Sequence, residues 1–400
     1  MPTSNGTKLR AWWSHRQGLD SSLKNKSGGE ILHSTGWARS LGGVGPYLTI
    51  FARNGESRET TDHAVSKLEI HELPSARGCT YVVPREDFAL ALNASRAFSS
   101  TELKTVGKLG VTEREIDKLC DRVANALSSA QLEPDELRKV LGGAVRNLGE
   151  EGKKKGVTTT LPVALGLLQS NGVIRRIATN GRFDQQRYRY ALWDPNPLSK
   201  GKMSDEEIAL ELARRFFRWI GPATLNEFRG FSALGAKLCS AAIASLGLVK
   251  IDSDEERWMF PEDRNAFQSF VESKESNYVL VSGLDGITHL RRNVLDLLDG
   301  ADLKKQVFIE KGYREVGALN DLPSHGIFDR GRLVGLWEFD TESESIVWTS
   351  FVKKNRALEQ AVKKTQDYVK SQLGDARSFS LDSPKSRAPR IKALREQVLA

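Results

Sequence analysis

The sequence predicts an α+β fold made of two helix–helix–helix–hairpin units and a strand-rich, barrel-like C-terminal region. Three observations carry that prediction. Apolar residues at helical spacing follow helix-start signals at two places, near Thr112 and near Ser204. Each set of helices is followed by two strand-like runs around a turn, the first turn being Asn180-Gly181. Beyond Asn277 the pattern becomes rich in β-branched and aromatic residues. Three helices and a hairpin in that order make a winged helix, so the chain reads as tandem winged-helix domains.

Residues 1–100 form an N-terminal mixed unit. Leu9, Trp12, Trp13 and Arg16 share one face of a helix that Gly18 can end. A Gly-rich bend runs from Gly36 to Pro46, Asp62–Leu68 reads as helix, and Thr80–Val83 as a strand closed by Pro84. Residues 101–195 form the first winged helix. Ile116, Leu119, Val123 and Leu127 mark its first buried stripe, Pro134–Leu141 its second helix, and Leu161, Ala164, Leu165 and Leu168 its third. Its wing pairs Val173–Ala178 with Phe183–Trp193. In the second winged helix, residues 203–262, Ser204 with Glu207 and Thr224 with Glu227 are capping boxes. Its wing surrounds Asp252–Glu256. The barrel-like β region covers residues 275–352, a closing helix 356–374, and a basic, mobile tail 378–400.

The 400 residues carry 59 Lys and Arg against 51 Asp and Glu, a formal charge of +8 that favours a polyanion partner. Cys79, Cys120 and Cys239 are far apart and form no CxxC pair, and the six histidines form no HxH or HExxH pair. No metal and no small-molecule cofactor is therefore expected. The longest apolar stretches fall well short of the ~20 residues that cross a bilayer, and no signal-peptide pattern opens the chain. The expectation is a cytoplasmic monomer with no membrane partner.

Four segments carry a family resemblance: Arg16-Gln17-Gly18-Leu19, Arg77-Gly78-Cys79-Thr80-Tyr81, Arg218-Trp219-Ile220-Gly221-Pro222-Ala223-Thr224 and Gly331-Arg332-Leu333-Val334-Gly335-Leu336-Trp337. Over residues 8–372 the chain resembles the winged-helix DNA glycosylases that unhook alkylated bases and interstrand crosslinks (the AlkZ/YcaQ type). The resemblance implies a DNA-binding cleft built from winged helices on a β-barrel scaffold, with damaged double-stranded DNA as partner. It also implies a Gln-apolar-Gln or Gln-apolar-Asp motif after the first helix and a Gly-rich bend. Breaking a glycosidic bond leaves a sugar with oxocarbenium character, against which a water must be held; a carboxylate can activate that water, an amide only position it. Here Gly45, Pro46 and Tyr47 stand at the motif positions, and Tyr81 replaces the histidine of the family's Arg-Gly-Thr-Leu-His. The fold implied by the resemblance survives these departures, whereas the activity does not follow from it. Two readings lead: a DNA-binding protein with a degenerate motif, and a working glycosylase for bulky or cationic adducts. A transcriptional regulator comes last, because no dimerisation coil matches half-sites.

For chemistry, Tyr47 with Glu69 and His71 forms a carboxylate–histidine set able to hold a water, although charges beside Pro74-Ser75 are also ordinary solvated surface. For DNA contact, Arg175, Arg176, Arg182, Gln185, Arg187 and Arg189 crowd the first wing among Phe183, Tyr188 and Tyr190. Lys153, Lys154 and Lys155 offer a phosphate clamp, and Arg16 and Gln17 lie at the first helix end. Arg77 is either a phosphate contact or a buried partner for Glu69 or Glu72. The acidic second wing argues for a scaffold role, and His289 and His325 read as structural.

Overall fold

The computed structural model describes residues 4–251, 255–310 and 312–399, so the tip of the second hairpin, residues 252–254, lies outside the described residues. Helix α1 (Ser4–Arg16) stops before Gly18, whose φ of +64° is a left-handed conformation that glycine adopts without strain. Ser27 starts α2 (Gly28–Thr35) with a capping box closed by Glu30. A two-residue strand, β1 (Ala38–Arg39), leads through a tight loop into α3 (Gly45–Asn54) and α4 (Arg58–Ser66). Strands β2 (Ile70–Pro74) and β3 (Thr80–Pro84) complete an antiparallel sheet in the order β1-β3-β2. Tyr81 lies between Arg39 and Leu73, and Val82 between Ala38 and Glu72.

Helix α5 (Phe88–Gly107) runs unbroken through residue 100, so the expected domain boundary there falls inside a helix. The cause is packing. Leu90, Ala91, Leu92 and Ala94 sit in a core shared with Trp37, Tyr81 and Trp193, while Val106 packs with Ile116 and Val163. One helix thus serves two cores.

The next unit comprises α6 (Glu113–Leu127), α7 (Pro134–Leu141), the short α8 (Gly149–Lys154), α9 (Leu161–Ser170) and a hairpin of β4 (Ile174–Ala178) and β5 (Tyr188–Leu192). Leu119, Val123, Leu127, Leu137, Leu165 and Ile174 form its core. The connection between the strands is longer than an Asn-Gly turn. Residues Phe183–Gln185 form a 3₁₀ turn instead of strand, because Phe183 leaves the ladder to stack on Tyr47, ring centroids 4.3 Å apart. A second set follows: α10 (Asp205–Ile220), α11 (Leu225–Ser232), α12 (Ala236–Ser245), β6 (Val249–Lys250) and β7 (Trp258–Met259). Capping boxes at Ser204 and Thr224 start α10 and α11. In the hairpin, Arg257 is buried between Glu227, at 3.2 Å, and Asp296, at 2.5 Å, and Glu256 pairs with Lys250.

The C-terminal region holds α13 (Pro261–Ser269), β8 (Tyr278–Val281), α14 (Gly286–His289), a separate hairpin of β9 (Gln306–Ile309) and β10 (Gly312–Glu315), then β11 (His325–Asp329), β12 (Arg332–Asp340) and β13 (Ser345–Ser350). The expected barrel does not close. Among the described residues the sheet is open, in the order β13-β12-β11-β8. Helices cover it instead: α15 (Arg356–Tyr368) packs on β8 and β13, and α16 (Pro384–Leu399) on β12 and β13. The stretch expected as a mobile basic tail therefore folds. Its cations are anchors: Arg387 is fully buried and 2.7 Å from Asp375, and Arg390 bridges Glu338 and Asp382 at 2.8 Å each. Just before α16, the chain crosses the loop ahead of α3, with Val44 N donating to Arg377 O and Ser380 N to Leu41 O.

Candidate nucleic-acid interface

Side chains alternate across the β1-β3-β2 sheet, so its two faces carry different chemistry. On one face Arg39 and Tyr81 are direct neighbours, with the Arg39 Cζ 5.2 Å from the Tyr81 ring centre. The Arg39 Nε and Nη1 and the Tyr81 hydroxyl are buried and make no hydrogen bond among the described residues. His289 Nε2 is likewise unpartnered. Burial, with Arg39 and Arg77 adding to it, lowers the His289 pKa to about 4, which leaves it neutral. Burial raises the Tyr81 pKa against the pull of the same arginines. Arg77 stands on the adjoining turn at φ +62° and is within ion-pair distance of no carboxylate among the described residues; it pairs with neither Glu69 nor Glu72. Arg292, also close, is neutralised by Asp321. The result is a patch with two guanidinium groups that no carboxylate compensates, and several donors without an acceptor, among the described residues.

The opposite face carries a carboxylate. Glu72 is 7% exposed; its Oε1 accepts from Ser40 Oγ at 2.5 Å, and its Oε2 lies 3.9 Å from Arg176. Arg176 in turn lies over the Tyr188 ring at 5.2 Å. His71, one residue before Glu72, belongs by the same alternation to the face of Leu73 and Tyr81 and is wedged edge-on against Trp193 and Phe88. Its burial beside Arg175 and Arg176 lowers its pKa to about 3.

The three residues expected to do chemistry do not form one set. Tyr47 is fully buried and donates its hydroxyl to Asp62, with burial first and then Asp62 raising its pKa. Glu69 is exposed at the surface, while Glu72 takes the buried place. Gly45 and Pro46 are in the first turn of α3, where a Cβ on Gly45 would sit 3.3 Å from Ser282 Oγ and 3.5 Å from Arg39 O. The space for a longer side chain at that position is already filled.

Among the expected DNA contacts, the structure separates free cations from paired ones. Arg187 is exposed and Arg175 partly so, and neither lies within ion-pair distance of a carboxylate among the described residues. Arg189 faces Glu133 at 3.7 Å on the surface. Arg182 is held by Asp184 at 2.6 and 3.0 Å and by Leu373 O, and Gln185 accepts from Asn180. Lys153, Lys154 and Lys155 are all exposed at the end of α8, Lys153 at 3.8 Å from Glu150. Gln17 corrects the expectation most plainly. It is 1% exposed, its amide donates to Thr35 O and Trp219 O and accepts from Arg53, and no atom of it is left for a phosphate. Arg16 is occupied by Asp263 and by Arg218 O. Arg39, Ser40 and the buried state of Glu72 were not anticipated from the sequence. The signal available was the alternation of Trp37-Ala38-Arg39-Ser40, which lay inside a stretch read as a glycine-rich bend.

The family described as DNA glycosylase AlkZ-like matches residues 44–367. The chain belongs to that family. Among solved structures, the Streptomyces sahachiroi DNA glycosylase AlkZ has a similar fold, with a TM-score of 0.69 and 21% identity over 93% of this chain and 98% of that chain. Among curated proteins there is no match. Within an AlkZ-like chain, the Arg77-Gly78-Cys79-Thr80-Tyr81 segment is the one that brings Tyr81 beside Arg39.

Proposed function

We propose that this AlkZ-like protein binds duplex DNA carrying a damaged base, and that its two helix–helix–helix–hairpin units act there as winged helices. The observation that carries the proposal is the cationic patch of Arg39 and Arg77 around the Tyr81 hydroxyl. A half-buried guanidinium without a counter-charge is costly, and a phosphodiester supplies both the charge and the acceptors that its N–H groups lack. Arg175 and Arg187 add cations on the first hairpin that have no carboxylate partner among the described residues. Phosphate contacts of this kind set affinity and register and read no sequence. The experiment is fluorescence anisotropy of a labelled duplex across a salt series. Arg39→Ala with Arg77→Ala is expected to lower the salt slope by roughly two units. An unchanged slope in a folded double variant would place the footprint elsewhere.

Base excision is a second reading, favoured by Glu72. A buried carboxylate can stabilise an oxocarbenium ion and hold a water, which Gly45 and Pro46 cannot. The test is release of a base from duplex DNA carrying nitrogen-mustard adducts, scored as strand breaks after heat and alkali. Release should vanish in Glu72→Gln and persist in Glu69→Gln. Release that survives Glu72→Gln ends this reading.

A further inference from the structure

Helix α14 ends on His289. Its start is pinned at Asp285, whose side chain accepts from Ile287 N at 3.2 Å and is itself held by the buried Arg53. The imidazole that this short helix presents lies beside the arginine patch. Its Nε2 is buried and makes no hydrogen bond among the described residues. Four charged groups act on it: Arg39 from β1, Arg77 from the turn between β2 and β3, Arg292 from the segment after α14, and Asp321 from the loop ahead of β11. Arg292 and Asp321 pair at 2.5 and 3.0 Å, so their charges largely cancel. Tyr81, acted on by the same three arginines, stays protonated because burial raises its pKa. What remains is two guanidinium groups that no carboxylate compensates among the described residues, next to an imidazole without a partner.

We propose that His289 is the proton-accepting member of an oxyanion site: when a phosphate-type oxyanion binds Arg39 and Arg77, His289 takes up one proton from solvent and adds a third positive charge. In the free protein that third charge is refused. Burial first, then Arg39 and Arg77, push the His289 pKa down to about 4, and the ring is neutral. A bound oxyanion reverses the electrostatic part of this. It offsets the guanidinium charges and offers the unpartnered Nε2 an acceptor. An opposite charge within ~4–6 Å moves a pKa by ~1–3, which returns His289 toward its ordinary value near 6.5. The sign follows from linkage: the bound state holds more protons than the free state, so binding tightens as pH falls. A rise of about 2 in the pKa makes binding roughly ninefold tighter at pH 5 than at pH 7, with about half a proton taken up per oxyanion at pH 6. The phosphodiester of DNA is one source of the oxyanion and a free phosphate another. That DNA supplies it rests on the function proposed above; the coupling does not.

The test is a pH titration of the histidine ring signals by NMR, on the full chain labelled with carbon-13 at histidine; the signal lost in His289→Asn identifies His289. Three samples are compared: chloride alone, sulfate at the same ionic strength, and a short duplex at saturation. The His289 midpoint should lie far below the ordinary value in chloride and rise with sulfate and with the duplex. Arg39→Gln, which removes one repelling charge, should raise the midpoint in chloride and blunt the response to sulfate. By anisotropy, the parent should gain roughly ninefold more duplex affinity between pH 7 and pH 5 than His289→Asn does. A melting curve for each variant confirms folding. A midpoint near 6.5 in chloride, or one that neither sulfate nor a bound duplex moves, would overturn the inference. A response to sulfate without duplex binding keeps the proton-coupled site and removes the DNA reading. Duplex binding with a midpoint that nothing moves removes the coupling and leaves that reading standing.

Discussion

Removing the free arginines of the first hairpin should change how DNA binding depends on salt, and removing a paired one should not. The structure makes that distinction residue by residue. Arg175 and Arg187 have no carboxylate partner among the described residues, while the Arg182 guanidinium is fixed by two hydrogen bonds to Asp184 and one to Leu373 O. Each phosphate contact contributes about 0.9 to the slope of log K against log salt, so Arg175→Ala with Arg187→Ala should reduce it by about 1.8. Between 50 and 200 mM salt, that slope difference amounts to a roughly tenfold smaller loss of affinity in the variant. Arg182→Ala should leave the slope unchanged. It should instead destabilise the fold by about 2 kcal/mol, because Asp184, 3% exposed, loses its partner. Fluorescence anisotropy at four or five salt concentrations, with a denaturant titration of each variant, reads both effects. An equal change of slope in Arg182→Ala, or none in the double variant, would refute the separation into free and paired cations.

Two further perturbations probe the scaffold. Arg53 and Asp285 form a fully buried bidentate pair at 2.8 and 2.9 Å that also holds Gln17 and Thr49. Arg53→Met should cost about 3–5 kcal/mol, a melting point lower by roughly 4–6 °C for a chain of this size, and thermal denaturation checks it. The second concerns pH. His71 has a pKa of about 3 in the folded chain, against an ordinary value near 6.5 when unfolded. Between those values the unfolded chain takes up the proton and the folded chain does not, so this contribution is complete above pH 6.5 and is lost as pH falls. From pH 7 to pH 5 the loss is about 2 kcal/mol, and His71→Phe should lack that portion in urea titrations at the two pH values. Identical pH dependence in both proteins would show that His71 is not the group responsible.

The helices were legible where local signals are strong. Ser204 with Glu207 and Thr224 with Glu227 are local hydrogen-bond devices, and both stand where the spacing placed them. What escaped was set by distant contacts. Phe183 reads as strand, yet it turns into a 3₁₀ segment because Tyr47, far away in sequence, offers a ring to stack on. The residues after 378 read as a mobile tail because Ser, Pro, Lys and Arg predominate; Glu338, Asp340 and Asp382 convert those cations into anchors. The limit expected at residue 100 falls inside α5 for the same reason, since nothing local reports that this helix belongs to two cores. At the site, the arginines of the hairpin were visible as a group. Their division into free and paired members depends on Asp184, Glu72 and Glu133, and no spacing rule gives it. Glu69 and Glu72 look alike in the sequence, and only the pairing of β2 with β3 buries one and exposes the other.

Under the proposed function, this AlkZ-like chain recognises damaged duplex DNA. The most direct measurement is the ratio of dissociation constants for two duplexes of one sequence, one unmodified and one carrying a single nitrogen-mustard adduct, at 150 mM salt. Unstacking costs least at a damaged base, so the account predicts tighter binding of the adducted duplex, by about tenfold or more. It predicts that Arg39→Ala with Arg77→Ala weakens both duplexes by similar factors, since phosphate contacts are blind to the lesion. Equal affinity for the two duplexes, or no duplex binding even at low salt, would contradict it.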